Sequence, residues 1–267
     1  NTEIKFKNFV DLTRLYTYAE NKISDGMQTA FLYRHYAMAI PLVELFHSKE
    51  IPYVYHGNVK HFIQDKIVND LWNYIELLID PRDLRAFYEV YRLLGLDISK
   101  RVLVEISERM KNEEHVDVYH ALMESGLKSA MKQRLASMIE NIRIAETLTS
   151  DEMIRFIIEK LDYGLYLKMM NRSLQDPVIF ALLAIAKRYP KPDEFLYHLS
   201  QLNHAKSTSE SSIYIAPMDG VKGLEFERVC MLDCMKGILP RNDKNVLERN
   251  HFYHAMSRTT NELEFFT

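Results

Sequence analysis

Apolar positions in the first part of the chain alternate between helical and strand spacing. Phe9, Leu12, Leu15, Ala19 and Ile23 recur at helical intervals, so the opening segment, about residues 6–23, is expected to be a helix stopped by Asp25-Gly26. Thr29–Tyr33 is a short apolar run that reads as a buried strand. Ile40, Val43 and Phe46 mark one face of a second helix, ended by Lys49-Glu50, and residues 51–55 read as another strand, stopped by Gly57. Helix, strand, helix, strand at this spacing predicts a parallel α/β layout.

The character changes from about His61. Phe62, Ile67, Leu71, Ile75 and Leu78 share a helical face that closes at Asp80-Pro81, and residues 84–94 form the next helix, ended by Gly95. Helices are further predicted over residues 100–110, 119–124, 130–146 and 153–161, the last with Thr149-x-x-Glu152 as its capping box. Asp176-Pro177 starts a helix running to about residue 189, since proline is tolerated in a first turn, and residues 192–202 form the last of the block. No strand is predicted between His61 and Asn203. The polar stretch 206–212 reads as a loop or linker. Beyond it, residues 213–216 and 229–233 read as strands, 247–257 as a helix and 262–266 as a final strand. The simplest arrangement is one α/β lobe split in sequence, residues 1–58 and 212–267, with a helical insertion over 59–211.

Composition narrows this little: 267 residues, 47% hydrophobic and 27% charged, describe an ordinary globular chain. The formal net charge of -3 argues against a domain that holds DNA tightly by itself, though not against one wall of a groove. Cys230 and Cys234 are the only cysteines and cannot complete a metal site, so they read as buried free thiols in a reducing cytosol. A cytoplasmic protein is expected, with no membrane partner, because no signal peptide or apolar run of spanning length is present. The chain begins at Asn1 and stops within a strand-like run, so it is expected to be an excised fragment.

The chemistry concentrates in Lys222-Gly223-Leu224-Glu225-Phe226, between two predicted strands. A strand follows, then Gly237-Ile238-Leu239-Pro240 as a turn, then a helix with Glu248-Arg249 near its start, carrying Tyr253 and ending in Ser257-Arg258. This order resembles motifs V and VI of superfamily 1 DNA helicases of the UvrD/Rep type, in which T-x-H-x-x-K-G-L-E-F leads to a strand, a G-[IL]-[FL]-P turn and an E-R-R-L-x-Y-V-A-[MIL]-[TS]-R segment. The amino-terminal part agrees. Thr29-Ala-Phe-Leu-Tyr-Arg34 and Ile51-Pro-Tyr-Val-Tyr-His-Gly57 resemble that family's V-L-Y-R and I-P-Y-x-x-x-G-G segments. The helix ending in Asp80-Pro81 resembles the first helix of the family's inserted 2B domain.

The resemblance implies a RecA-like lobe, discontinuous in sequence, with an inserted all-helical domain. In the family ATP sits between two such lobes. The first supplies the phosphate loop and the Mg2+ ligands; the second supplies arginine fingers. Arg258 would then be the catalytic finger, Gly223 a point of close backbone approach, Glu225 a partner of the ATP ribose, and Lys222 a phosphate contact or the partner of a local acid. Arg34, Tyr55, His56 and Asp219 are candidates for nucleic-acid contact, with Tyr33 and Tyr36 as further aromatic platforms along a single-strand path. Each also has a plain structural reading, as core tyrosine or solvated arginine, and the same holds for Tyr253, Glu248 and Arg249.

Departures from the family pattern are specific. Its motif V threonine and histidine correspond to Pro217 and Asp219, the second arginine of E-R-R to Asn250, and a phosphate-binding G-I-G turn to Gly95-Leu96-Asp97. The sequence also carries no G-x-x-x-x-G-K-[ST], no acidic Walker B pair and no Q-N-Y-R segment. The expected whole is therefore an ATP-dependent DNA helicase or translocase acting on single-stranded DNA and a duplex junction. This chain would be inactive without the first motor lobe. A non-catalytic helicase-like module that binds DNA or a partner protein is the alternative, and an unrelated α-rich domain the blandest.

Overall fold

A computed structural model describes residues 2–9, 12–145, 147–234 and 246–267. They form two compact units, one made of Asn1–Asp65, Pro177–Arg188 and Tyr197–Thr267, the other of Lys66–Asp176 and Tyr189–Leu196.

The first unit is built on a six-stranded sheet: β1 (Glu3–Lys7), β2 (Thr29–Tyr33), β3 (Val54–Tyr55), β4 (Ile213–Pro217), β5 (Phe226–Met231) and β6 (Thr259–Phe266), in the spatial order β1-β6-β5-β2-β4-β3. Every pairing is parallel. The α/β expectation therefore holds, and the reason lies in β2. Its five residues are all buried, as a central strand covered on both faces requires. Ala30 stands opposite Tyr214 on one side and Val229 on the other, so an amino-terminal strand is wedged between two carboxy-terminal ones. On one face Ala30, Leu32, Met231 and Phe265 pack with Met218 and Val221 of the β4–β5 loop and with Ala255 of the helix Val246–Met256. On the other, Phe31 meets Phe46 of the helix Ile40–Ser48, ring centroids 6.1 Å apart. The helix Pro177–Ala186 is apolar nearly all round and buried in the same unit.

Both edges of the sheet depart from the sequence reading. The opening segment is not one helix: residues 3–7 are the edge strand β1, and the helix spans Leu12–Lys22. Glu-Ile-Lys-Phe-Lys has the period-two alternation of a strand, and Phe6 stacks on Phe265 across the β1–β6 pair at 4.9 Å. At the other edge β3 is reduced to two residues, because Pro52 has no N–H for a ladder and the Ile51 N–H closes the preceding helix on the Phe46 carbonyl.

Charges are buried beneath the sheet. Arg228 of β5 is 1% exposed, and its guanidinium is shared by Asp25, Glu262 (2.8 Å) and the Lys22 carbonyl (2.6 Å). Lys22 in turn pairs with fully buried Glu264 at 2.7 Å. Burial raises the Cys230 thiol pKa and pushes that of Cys234 up to about 12; both are unpaired thiols.

The second unit contains only helices among its described residues. Their starts are fixed by side-chain caps: Asp83 accepts from the Ala86 N–H (2.9 Å), Asp117 from His120 (2.8 Å), and Thr149 with Glu152 forms a capping box. Buried Asp70 is satisfied by the Lys66 ammonium at 2.7 Å and the Tyr163 hydroxyl at 2.9 Å. The helix Tyr163–Met169 was not predicted, since Gly164 breaks its pattern; here the absent side chain makes room for the Ile158 carbonyl, which a Cβ would meet at 2.8 Å.

Candidate nucleotide and nucleic-acid site

All six strands point the same way, so β4 must be followed by a return across the sheet before β5 begins. The loop from Met218 to Glu225 makes that return in two turns, closed by Gly220 N–H to the Pro217 carbonyl (2.9 Å) and Leu224 N–H to the Val221 carbonyl (3.2 Å). Buried Met218 and Val221 anchor it to the core, which leaves Lys222, Gly223, Leu224 and Glu225 exposed. Gly223 has φ +82°, a left-handed conformation that favours glycine, and open space where a side chain would stand.

The helix Val246–Met256 delivers Arg258 to this loop. Ala255 is buried against the sheet, so the helix end is fixed; the Arg258 N–H then bonds the Ala255 carbonyl at 3.2 Å, and the Arg258 carbonyl accepts from Phe226 at 2.8 Å. The half-buried guanidinium donates to the carbonyls of His254 (3.2 Å) and Leu224 (3.5 Å) and to the Ser257 hydroxyl (3.0 Å). Met218, Val221, Lys222, Gly223, His254 and Arg258 line a cleft of about 220 Å³. Of the residues expected at a nucleotide, three meet here: Lys222, Gly223 and Arg258. Glu225 ends the loop, is exposed, and does not line the cleft. Tyr253 is 67% exposed and Arg249 also faces solvent, so neither is core. The Glu248 side chain and the predicted Gly237–Pro240 turn lie outside the described residues.

The expected nucleic-acid residues fall at the opposite ends of the strands. Arg34 follows β2, His56 follows β3 and Asp219 lies just beyond β4, all three exposed at the carboxyl edge, where open α/β sheets bind ligands. Tyr33 is buried, and burial raises its phenol pKa; the hydroxyl donates to the His56 carbonyl at 3.0 Å. Half-buried Tyr55 lies over Gly57. Its hydroxyl has no hydrogen-bond partner among the described residues. Tyr36 stacks on His35 at 4.7 Å and donates to Asp65 at 3.1 Å. Sequence reasoning missed Tyr214, whose ring stacks under His56 at 6.3 Å with an 11° interplanar angle. It also missed Asp233, a fully buried carboxylate that accepts from the Arg34 and His35 N–H groups at 2.7 and 2.8 Å. Alternation within β4 could have flagged the first; an acid ending an apolar run gave no signal for the second.

Residues 133–266, half of the chain, match the family model of the UvrD-like helicase C-terminal domain. The chain belongs to this family. This UvrD-like domain is similar to the ATP-dependent DNA helicase Rep of Buchnera aphidicola subsp. Schizaphis graminum (strain Sg), 24% identical over 92% of this chain and 42% of that protein. The Rep protein of Buchnera aphidicola subsp. Acyrthosiphon pisum (strain APS) is 25% identical over 94% and 43%. A putative ATP-dependent DNA helicase, YjcD of Bacillus subtilis (strain 168), is 23% identical over 91% and 35%. The UvrD-like domain thus spans less than half the length of these relatives.

Two departures of the UvrD-like domain from the motif pattern acquire a structural context. Pro217 is the last residue of β4, paired with Tyr33, and brings no hydroxyl to the carboxyl edge. Asp97 pairs with the Lys128 ammonium, which holds its carboxyl below the usual range and offsets its charge. No helix among the described residues of the UvrD-like domain is long and apolar enough to cross a membrane, and no group of His, Cys, Asp or Glu among them is placed to hold a metal ion.

Proposed function

We propose that this UvrD-like domain is the second motor lobe of an ATP-dependent DNA helicase or translocase, with Arg258 as its arginine finger. The reading rests on one observation, the cleft in which Lys222 and Gly223 meet Arg258. Charge develops on the transferring phosphoryl group, and a planar, permanently charged guanidinium is suited to neutralise it. The Arg258 donors now bound to the His254 and Leu224 carbonyls would turn to phosphate oxygens. Lys222 would add a second positive charge, Gly223 would let the backbone approach, and Glu225 would accept from the ribose hydroxyls. The carboxyl edge, with Arg34, Tyr55, His56 and Asp219, would carry the single strand near a duplex junction. Among the described residues no group of His, Cys, Asp or Glu is placed to hold a metal ion, and no step here is routed through one. The metal ligands and phosphate loop would come from a first lobe elsewhere in the same protein, leaving this chain inactive alone. Its unpaired thiols fit a cytoplasmic setting.

The second reading, a non-catalytic module that binds DNA or a partner protein, is favoured by Pro217 and by exposed Asp219 at the carboxyl edge. DNA-stimulated ATP hydrolysis by the full-length protein separates the two. Arg258→Ala is expected to lower kcat by about 10^3-fold or more. Unchanged turnover in that variant would remove the finger assignment, and no turnover in the parent protein would favour the module.

A further inference from the structure

The carboxyl edge depends on a residue that none of the motifs contains. Asp233 stands two positions beyond β5, next to the end of β2, and the Leu232 N–H still bonds the Leu32 carbonyl at 2.9 Å. Past that bond the two strands part. The Arg34 and His35 N–H groups leave the ladder, and both donate to one oxygen of Asp233, Oδ2, at 2.7 and 2.8 Å. His35 then caps the short turn Tyr36–Ala39 by accepting the Ala37 N–H at Nδ1, and the helix Ile40–Ser48 follows. One fully buried oxygen thus fixes two successive amides at the point where the chain leaves the sheet, and with them the direction in which Arg34 projects. Arg34 is exposed, and its positive charge favours the ionised form of Asp233, so the two lie within electrostatic range.

We infer that Asp233 is the positioning residue for Arg34, holding the backbone turn that sets this guanidinium at the carboxyl edge for a nucleic-acid phosphate. The ligand in that statement rests on the proposed function; the positioning itself does not. Asp233 touches no ligand, and acts through the amide it holds.

The test measures binding of a fluorescein-labelled thymidine oligonucleotide to the 267-residue chain at low ionic strength, where phosphate contacts are strongest. Arg34→Ala is expected to weaken binding about tenfold, as loss of a charged hydrogen bond does. Asp233→Ala should match it. The double variant should be no weaker than Arg34→Ala, because the two act as one unit. Asp233→Asn, which keeps an acceptor oxygen of the same reach, should restore affinity, and amide exchange at Arg34 and His35 should quicken in the Ala variant and not in the Asn variant. Additive losses in the double variant, or unchanged exchange at both amides in Asp233→Ala, overturn the inference. If Arg34→Ala leaves affinity unchanged, Arg34 is not a nucleic-acid contact and that part of the functional reading falls. The exchange measurement then decides the positioning alone. Should the Ala variant fail to fold, Asp233→Ser, too short to reach either amide, takes its place.

Discussion

Asp233 also has a cost that can be measured. Burial pushes its pKa up to about 6, against the N–H bonds from His35 and Arg34, which favour the ionised form. Between the usual value of 3.8 and about 6, the folded chain holds a proton that the unfolded chain has lost. Stability from this group is therefore fully present below that window, falls as pH rises through it, and stays low above it. Asp233→Asn should flatten that slope and raise stability at pH 7.5 by up to about 3 kcal/mol, as urea titrations at several pH values would show. Arg228 has the opposite balance: its buried guanidinium ties half-buried Glu262, exposed Asp25 and the Lys22 carbonyl together. Arg228→Ala is expected to cost about 1–3 kcal/mol in the same titration, because the Lys22 carbonyl and the Glu262 carboxylate each lose a donor, and Arg228→Met less, because it keeps the buried apolar stem. Neither residue was legible in the sequence. An acid closing an apolar run reads as a strand end, and an arginine inside one as an interruption. By contrast, Lys222, Gly223 and Arg258 were legible through their order and spacing, which the cleft brings together.

At the scale of elements, central strands were easier to read than edges. β2 and β4 announce themselves as apolar runs because both faces are covered. β1 and β3 are short edge strands whose identity comes from their partners: β1 gains its conformation from the ladder to β6, and β3 loses length to Pro52. Helix starts were legible where a cap was encoded, as at Thr149 and Glu152, and obscured where a glycine served packing, as at Gly164. The capping box offers a clean test. Thr149→Ala removes the hydroxyl half of the box, which donates to Asp151 at 3.0 Å and Glu152 at 2.8 Å, leaves the Thr149 N–H on Glu152, and should destabilise its unit by about 1 kcal/mol, read as a lower thermal midpoint. Thr149→Ser should recover most of it.

The whole molecule divides into two units that each carry their own buried residues, Phe31, Val229 and Phe265 in one and Leu71, Phe87 and Ile154 in the other. Separate cores make independent cooperative units, so unfolding is expected in more than one step, with the calorimetric enthalpy larger than the van't Hoff value. A single two-state transition would show that the units melt as one. The net charge of -3 fits a lobe that contributes to a groove instead of holding nucleic acid by charge alone.

The position of β2 bears on how such a chain is made. It sits between β4 and β5, yet residues 34–212 separate it from the first of them. At roughly 5–20 residues per second on the ribosome, β2 emerges about 10–40 s before a neighbour exists to pair with it. Through that interval the nascent chain carries an apolar, β-prone segment with both edges open, the kind of segment that recruits foreign strands. The helices of the other unit draw most of their contacts from nearby sequence and can form meanwhile. Synthesis therefore runs from an unsatisfied strand, through a unit that folds on local contacts, to the late strands that close the sheet.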